Sequence, residues 1–197
     1  MDLTILETPQ ITRLAKGHAE QVFGIQNFLT AIPEGAIRSF QVHVVQFIDS
    51  VLPEGGIGAD PGLQLGVSYI ASNDVAYTFR TYVDRSILSV SDMLGVFYNV
   101  PLLVQNFVSS ITPVVVEGPA HGAKYGQALL GEIRGALILG FRGAGFNNVS
   151  EVAPLQIRKR VFGKGLTQPM EFWKAAGFIK ADKDSADALS MAICAGL

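Results

Sequence analysis

The run Pro113-Val114-Val115-Val116-Glu117 constrains the fold more than any other stretch of the chain. Three consecutive valines have strong strand preference, and no polar residue alternates with them until Glu117. A strand written this way is covered on both faces, the situation of a strand with parallel neighbours in an α/β sheet. The acid at its end then lies at the carboxyl edge, where open α/β sheets place their ligands.

The surrounding pattern supplies the rest of such a sheet. Ile57 to Asp60, Leu65 to Ala71, Val75 to Val83 and Asn148 to Val152 read as four more strands, with Asn73-Asp74 as a hairpin turn. Ser91 to Ser110 reads as a helix that Pro101 should kink or divide. Tyr125 to Arg142, Pro154 to Val161, Pro169 to Ala176 and Asp184 to Ala195 read as further helices. Three strands in hairpin order followed by alternating helices and strands predict an α/β fold with a mixed five-stranded sheet. Before residue 56 the texture differs. Apolar residues from Ile11 to Ile25 and from Ile37 to Val51 recur mostly at three- and four-residue spacing around the turn Ile32-Pro33-Glu34-Gly35. This predicts a helical hairpin over 1–55, ahead of a main domain over 56–197.

Four carboxylates, far apart in sequence, fall where this layout brings chain ends to one cleft. Asp60 ends the first strand of the main domain, Glu117 ends the valine strand, and Asp184 and Asp187 open the last helix. Three residues apart, the last two share a helix face. Acids at the ends of buried elements require positive compensation, and a hard divalent cation is the usual one. Sites of that kind hydrolyse phosphodiesters. Each acid also has a plainer reading: Asp60 in a solvated Asp-Pro-Gly turn, Glu117 where a strand meets water, and Asp184 as a helix cap beside Asp182.

Net charge is only −2 over 197 residues, which excludes a uniformly basic nucleic-acid binder. The charge is unevenly spread, however. Between residues 118 and 180 nine Lys or Arg meet three acids. The densest part is Arg158-Lys159-Arg160 with Lys164, a surface suited to phosphates unless it is simply a solvated face. Lys124, His121 and Tyr125 in the Gly-rich segment after Glu117 are further candidates for DNA contact. A single cysteine, Cys194, permits no internal disulfide, and the polar N-terminus does not read as a signal peptide; both suggest a cytoplasmic protein. No apolar run reaches the ~18 residues of a membrane-span candidate.

The order Asp60-Pro61-Gly62, Glu117, then Asp184-Ser185-Ala186-Asp187-Ala188-Leu189 resembles the RuvC family of Holliday junction resolvases, within the RNase H-like superfamily. Leu130-Gly131-Glu132-Ile133-Arg134-Gly135 and the basic segment Glu151 to Lys159 followed by Gly163-Lys164-Gly165 carry the same resemblance, which spans residues 57–197. It implies an RNase H-like fold and a homodimeric endonuclease that nicks four-way junctions or other branched DNA. It further implies two Mg²⁺ ions (Mn²⁺ substituting) on Asp60, Glu117, Asp184 and Asp187, with Arg158 and Lys164 near the scissile phosphate. Three features depart from that family. The segment Gly118 to Lys124 lacks an aromatic wedge, a downstream lysine of the family falls near Pro169, and residues 1–56 are additional. They leave open a nuclease for flaps or RNA-containing duplexes, or a non-catalytic DNA-binding protein that keeps the fold.

Overall fold

The computed structural model describes residues 4–7, 23–48, 55–72, 75–119, 127–176, 178 and 181–197. In chain order the elements are β1 (Thr4–Glu7), α1 (Ile25–Thr30), β2 (Ile37–Ile48), β3 (Ile57–Asp60), β4 (Gln64–Ser72), β5 (Val75–Val83), α2 (Val90–Tyr98), β6 (Val114–Glu117), α3 (Gln127–Gly143), β7 (Val149–Val152), α4 (Pro154–Phe162), α5 (Pro169–Ala175) and α6 (Lys183–Gly196). All strands join one seven-stranded sheet in the order β1-β2-β5-β4-β3-β6-β7. Pairing is antiparallel from β1 through β3 and parallel from β3 to β6 and from β6 to β7.

The valine strand is β6, and it behaves as its composition demands. It runs between two parallel partners, and Val114, Val115 and Val116 are all buried. Val114 and Val116 join a core shared with Phe79, Phe97, Leu137 and Phe141, while Val115 packs on the opposite face with Val152, Ile157 and Met191. Pro101 divides the predicted long helix as expected: α2 stops at Tyr98, and a short 3-10 turn follows over Val100–Leu103.

The N-terminal reading needs correction. Residues 37–48 form strand β2, not the second arm of a helical hairpin. The strand pairs antiparallel with β5, so the sheet has seven strands instead of the expected five. The three- and four-residue spacing misled because β2 is covered on both faces over part of its length. Val42, His43 and Val45 are all buried, which erases the alternation that marks a half-exposed strand. Local preference, with Val42, Val44, Val45 and Ile48 β-branched, favoured the strand throughout. The first arm of the expected hairpin lies outside the described residues up to Phe23, and the short helix α1 follows it.

Helix α6 crosses the sheet over β3 and β4, and glycines allow it to sit there. A Cβ built on Gly56 would lie 2.0 Å from the Ala192 carbonyl oxygen. One on Gly58 would lie 2.1 Å from the Ala188 oxygen, and one on Gly66 2.4 Å from the Asp184 oxygen. The helix backbone thus rests on the strands without intervening side chains. Trp173 of α5 fixes the outer side of α6: its indole nitrogen donates to Ser190 Oγ at 2.9 Å, and both residues are buried.

Two glycine substitutions should therefore move stability in opposite directions. Gly58→Ala forces α6 off the sheet and should destabilise by roughly 1–3 kcal/mol, an overpacking effect. Gly131→Ala, in α3 with nothing within 4 Å of its Cβ, should stabilise by up to about 1 kcal/mol through helix propensity. Thermal unfolding of the two variants against wild type checks the pair; a Tm for Gly58→Ala equal to wild type would refute the seating of α6.

Candidate active site

The parallel pairing of β3 with β6 sets the first half of the site. Ala59 lies opposite Val116, so Asp60 and Glu117, the next residues on each strand, end side by side at the carboxyl edge. The second half comes from α6, whose N-terminal turn rests on Gly66, the residue opposite Asp60 on β4. Asp184 and Asp187 project from that turn toward the strand ends. The structure thus brings together all four acids that the sequence singled out.

Burial and mutual repulsion make this an expensive arrangement. Asp60 is buried, and its carboxyl is pushed well above the usual range, first by burial and then by the charges of Glu117, Asp187 and Asp184. Glu117 is also raised by burial and by Asp187, while Lys183, a hydrogen bond with the Asp60 carboxyl, and Arg158 pull it back. Asp187 is raised by burial against the opposing charges of Lys183 and Arg158. Asp184 is raised by burial too, but Arg80 offsets part of this, its Nε lying 3.1 Å from Asp184 Oδ2.

The cap of α6 is Asp182, not Asp184. The Asp182 side chain accepts from the Ser185 backbone N–H at 2.9 Å, and the Asp182 N–H donates back to Ser185 Oγ. The capping duty is therefore filled two residues earlier, and Asp184 pairs with Arg80 instead. Gly66 is occupied by the helix backbone, so its missing side chain serves packing.

An open cleft of about 410 Å³ lies beside the acids, lined by Glu117, Pro119, Pro154, Arg158, Lys183 and Asp187 among others. Of the predicted basic cluster, only Arg158 reaches this lining. It is carried there by α4, whose first turn begins with Pro154 after β7. Lys159 and Arg160 are exposed, and Arg160 hydrogen-bonds toward the buried Cys194 instead. Lys164 is exposed in the loop after Gly163, which closes α4 in the left-handed conformation (φ 73°). His121, Lys124 and Tyr125 lie outside the described residues. Sequence reasoning missed two cations of the site, Arg80, which pairs with Asp184, and Lys183, which lines the cleft. A lysine in the first turn of a helix opposes the dipole, which is the one local signal Lys183 carries.

The donor set suits a hard cation: four carboxylates and, among the described residues, no thiolate or imidazole, beside a cleft open on one side. Asp60 and Glu117 share a hydrogen bond, which requires a proton on one of the two carboxyls. Among the described residues, no three acidic, His or Cys side chains are already drawn tightly enough to hold an ion. Instead Arg80 holds Asp184, while the charges of Lys183 and Arg158 oppose those of Glu117 and Asp187. Among the described residues no helix is long and apolar enough to cross a membrane.

No protein-family model matches the chain, and no curated protein sequence matches it. Solved structures do. The Thermus thermophilus RuvC structure aligns with a TM-score of 0.53 at 19% identity, over 70% of this chain and 90% of that one. T. thermophilus RuvC in complex with Holliday junction substrate aligns with a TM-score of 0.54 at 18% identity, over 70% and 89%. The chain therefore has the RuvC-like, RNase H-like fold: a mixed sheet flanked by helices.

The raised carboxyls dictate a pH dependence. A group whose pKa is higher in the folded than in the unfolded protein stabilises the fold only while it stays protonated. Stability of the metal-free protein should be highest near the ordinary carboxylate range, about pH 4, and should fall as pH rises through the raised values. Asp60→Asn removes the most strongly shifted acid and should flatten that decline. Melting curves in chelator from pH 5 to 8 measure it; a wild-type Tm that rises steadily across this range would contradict the buried repulsion.

Proposed function

We propose that the protein is a Mg²⁺-dependent, structure-selective endonuclease that nicks four-way junctions or other branched DNA. One observation carries the reading. Four carboxylates from β3, β6 and α6 gather beside a cleft whose basic residues, Arg158 and Lys183, come from separate elements. A neutral-substrate hydrolase has no use for both charges at once. A phosphodiester has use for each: metal ions on the acids and cations for the phosphate oxygens.

Asp60, Glu117, Asp184 and Asp187 would hold two Mg²⁺ ions, with Mn²⁺ as a substitute. The bound ions would supply an activated water and stabilise the leaving 3′-oxygen. The chain's own residues do the remainder. Arg158 presents its guanidinium to the scissile phosphate from the α4 side, and Lys183 from the head of α6. Each is at present balanced by the acids, and substrate phosphate together with cations restores that balance. Burial of Asp60 strengthens the charge interactions made by its own carboxyl. Lys159, Arg160 and Lys164, on the exposed side of the basic segment, extend the phosphate-binding surface along the flanking duplex, and Lys124, His121 and Tyr125 remain proposed DNA contacts on their sequence alone.

The neighbour solved with a Holliday junction substrate supports a branched substrate for this chain as well. A homodimer fits symmetric cutting of two strands. We assign the nuclease unit to residues 56–197 and regard residues 1–55 as an addition to it. The buried Cys194 fits a reducing cytoplasm.

Asp60→Asn and Glu117→Gln should each reduce cleavage of a four-way junction by more than about 100-fold, beyond what loss of an outer-shell partner of a metal site produces. Junction affinity should stay within a few-fold of wild type. Gel assays on junction, flap, Y-fork and RNA–DNA hybrid substrates read both quantities. Paired symmetric nicks support a resolvase, and preference for the hybrid points to a ribonuclease. Equal cutting by wild type and Asp60→Asn would sink the metal-site assignment. Calorimetry should show Mg²⁺ or Mn²⁺ binding to the wild type that Asp60→Asn loses.

A further inference from the structure

The sheet register extends the acid site in a direction the cleft does not. Asp60 on β3 lies opposite Gly66 on β4, Gly66 opposite Arg80 on β5, and Arg80 opposite Gln41 on β2. Residues directly opposite in a sheet share a face, so Asp60, Gly66, Arg80 and Gln41 form one row on the α6 side. With strands ~4.8 Å apart, Gln41 stands ~14 Å from Asp60. That is roughly four base steps along a duplex axis at 3.4 Å each.

Helix α6 covers the row at Gly66 and stops there. Two residues along β2, His43 packs against Phe178 with ring centroids 5.3 Å apart, so the segment before α6 covers that end of the strand. Between these covers the sheet face is open among the described residues. Ser39, Gln41, Gln64, Arg80, Thr81 and Tyr82 line a groove of about 150 Å³. None of the six is acidic. Arg80 bridges the groove to the acid site: its Nε pairs with Asp184, and its terminal nitrogen donates to Gln64 Oε1 at 2.6 Å. At the outer end, Arg38 lies over the Tyr82 ring, 5.6 Å from its centroid.

We infer that this groove is a second binding subsite, which takes the sugar–phosphate backbone of the DNA strand leaving the acid site. Amides, hydroxyls and a guanidinium are the groups that position a phosphodiester backbone without reading sequence. Continuity along one register row, bridged by Arg80, identifies the occupant as the strand already held at the acids. Gln41 and Ser39 belong to β2, outside the stretch 57–197 that carries the RuvC resemblance. The added strand β2 therefore lengthens the track on which DNA lies, in addition to extending the sheet.

The inference rests on the nuclease reading, and one binding experiment separates the two. In the full-length Asp60→Asn protein, the Kd for a labelled four-way junction is measured by fluorescence anisotropy. Gln41→Glu should weaken binding about tenfold and Gln41→Lys should tighten it about threefold, because the charge falls next to the backbone. Gln26→Glu, an exposed position on α1, is the charge-matched control and should leave Kd unchanged. Equal melting temperatures confirm that the variants are folded. If both Gln41 variants bind like the parent while the parent binds junction tightly, the subsite is wrong and the nuclease reading stands. If the charge effects hold but the wild type cuts no DNA in Mg²⁺, the nuclease reading fails and the groove remains a nucleic-acid site. A parent that binds neither junction nor duplex overturns both.

Discussion

Direct backbone contact between α6 and strands β3 and β4 is the constraint on which the site depends. The carbonyls of Asp184, Ala188 and Ala192 lie where side chains at Gly66, Gly58 and Gly56 would be. This spacing fixes α6 both in height and in register. The same turn of helix that presses on Gly66 presents Asp184 and Asp187 toward Asp60. A helix lifted by one side-chain layer would leave the strand acids and the helix acids too far apart to act on one substrate. The glycines of β3 and β4 are thus as necessary to the site as the carboxylates, although none of them carries a functional group.

Around that scaffold the charges are arranged in opposition. Burial and mutual repulsion raise all four carboxyls, and cations from three different elements oppose them: Arg80 from β5, Arg158 from α4 and Lys183 from α6. The three have different standing. Arg80 is engaged by Asp184 and Gln64 and ties the helix head to the sheet. Arg158 and Lys183 line the open cleft. Their charges only partly offset the buried repulsion, and all four carboxyls remain raised.

Much of this was legible in the sequence, and the limits of legibility are physical. The valine strand, the end-of-element acids and the proline that splits the helix after Tyr98 each carry a local signal that tertiary structure does not override. Strand β2 carried a signal that tertiary structure created. Its two-sided burial at Val42, His43 and Val45 depends on helices far away in the chain, and without them the spacing mimics a helix. The choice between Asp182 and Asp184 as helix cap turned on a shift of two residues, finer than periodicity resolves, and Ser185 decided it by completing the capping box. Lys183 was hidden by its neighbours, since a lysine between two aspartates reads as surface charge. Arg80 was hidden by distance, because its partners Asp184 and Gln64 are joined to it only by the sheet.

The register connects β2, two strands beyond β4, to the row that holds Asp60. In a helix-based site each added element must find its own route to the reacting centre. In a sheet, any strand added at the β5 edge is automatically aligned with the row that holds Asp60, because hydrogen-bonded register passes position from strand to strand. Here it passes from Asp60 through Gly66 and Arg80 to Gln41. Arg80 converts that alignment into chemistry: one guanidinium touches a site acid on one side and lines the groove on the other. Strand β2 therefore extends the row aligned with Asp60 beyond the acid cluster, without contributing a residue to that cluster.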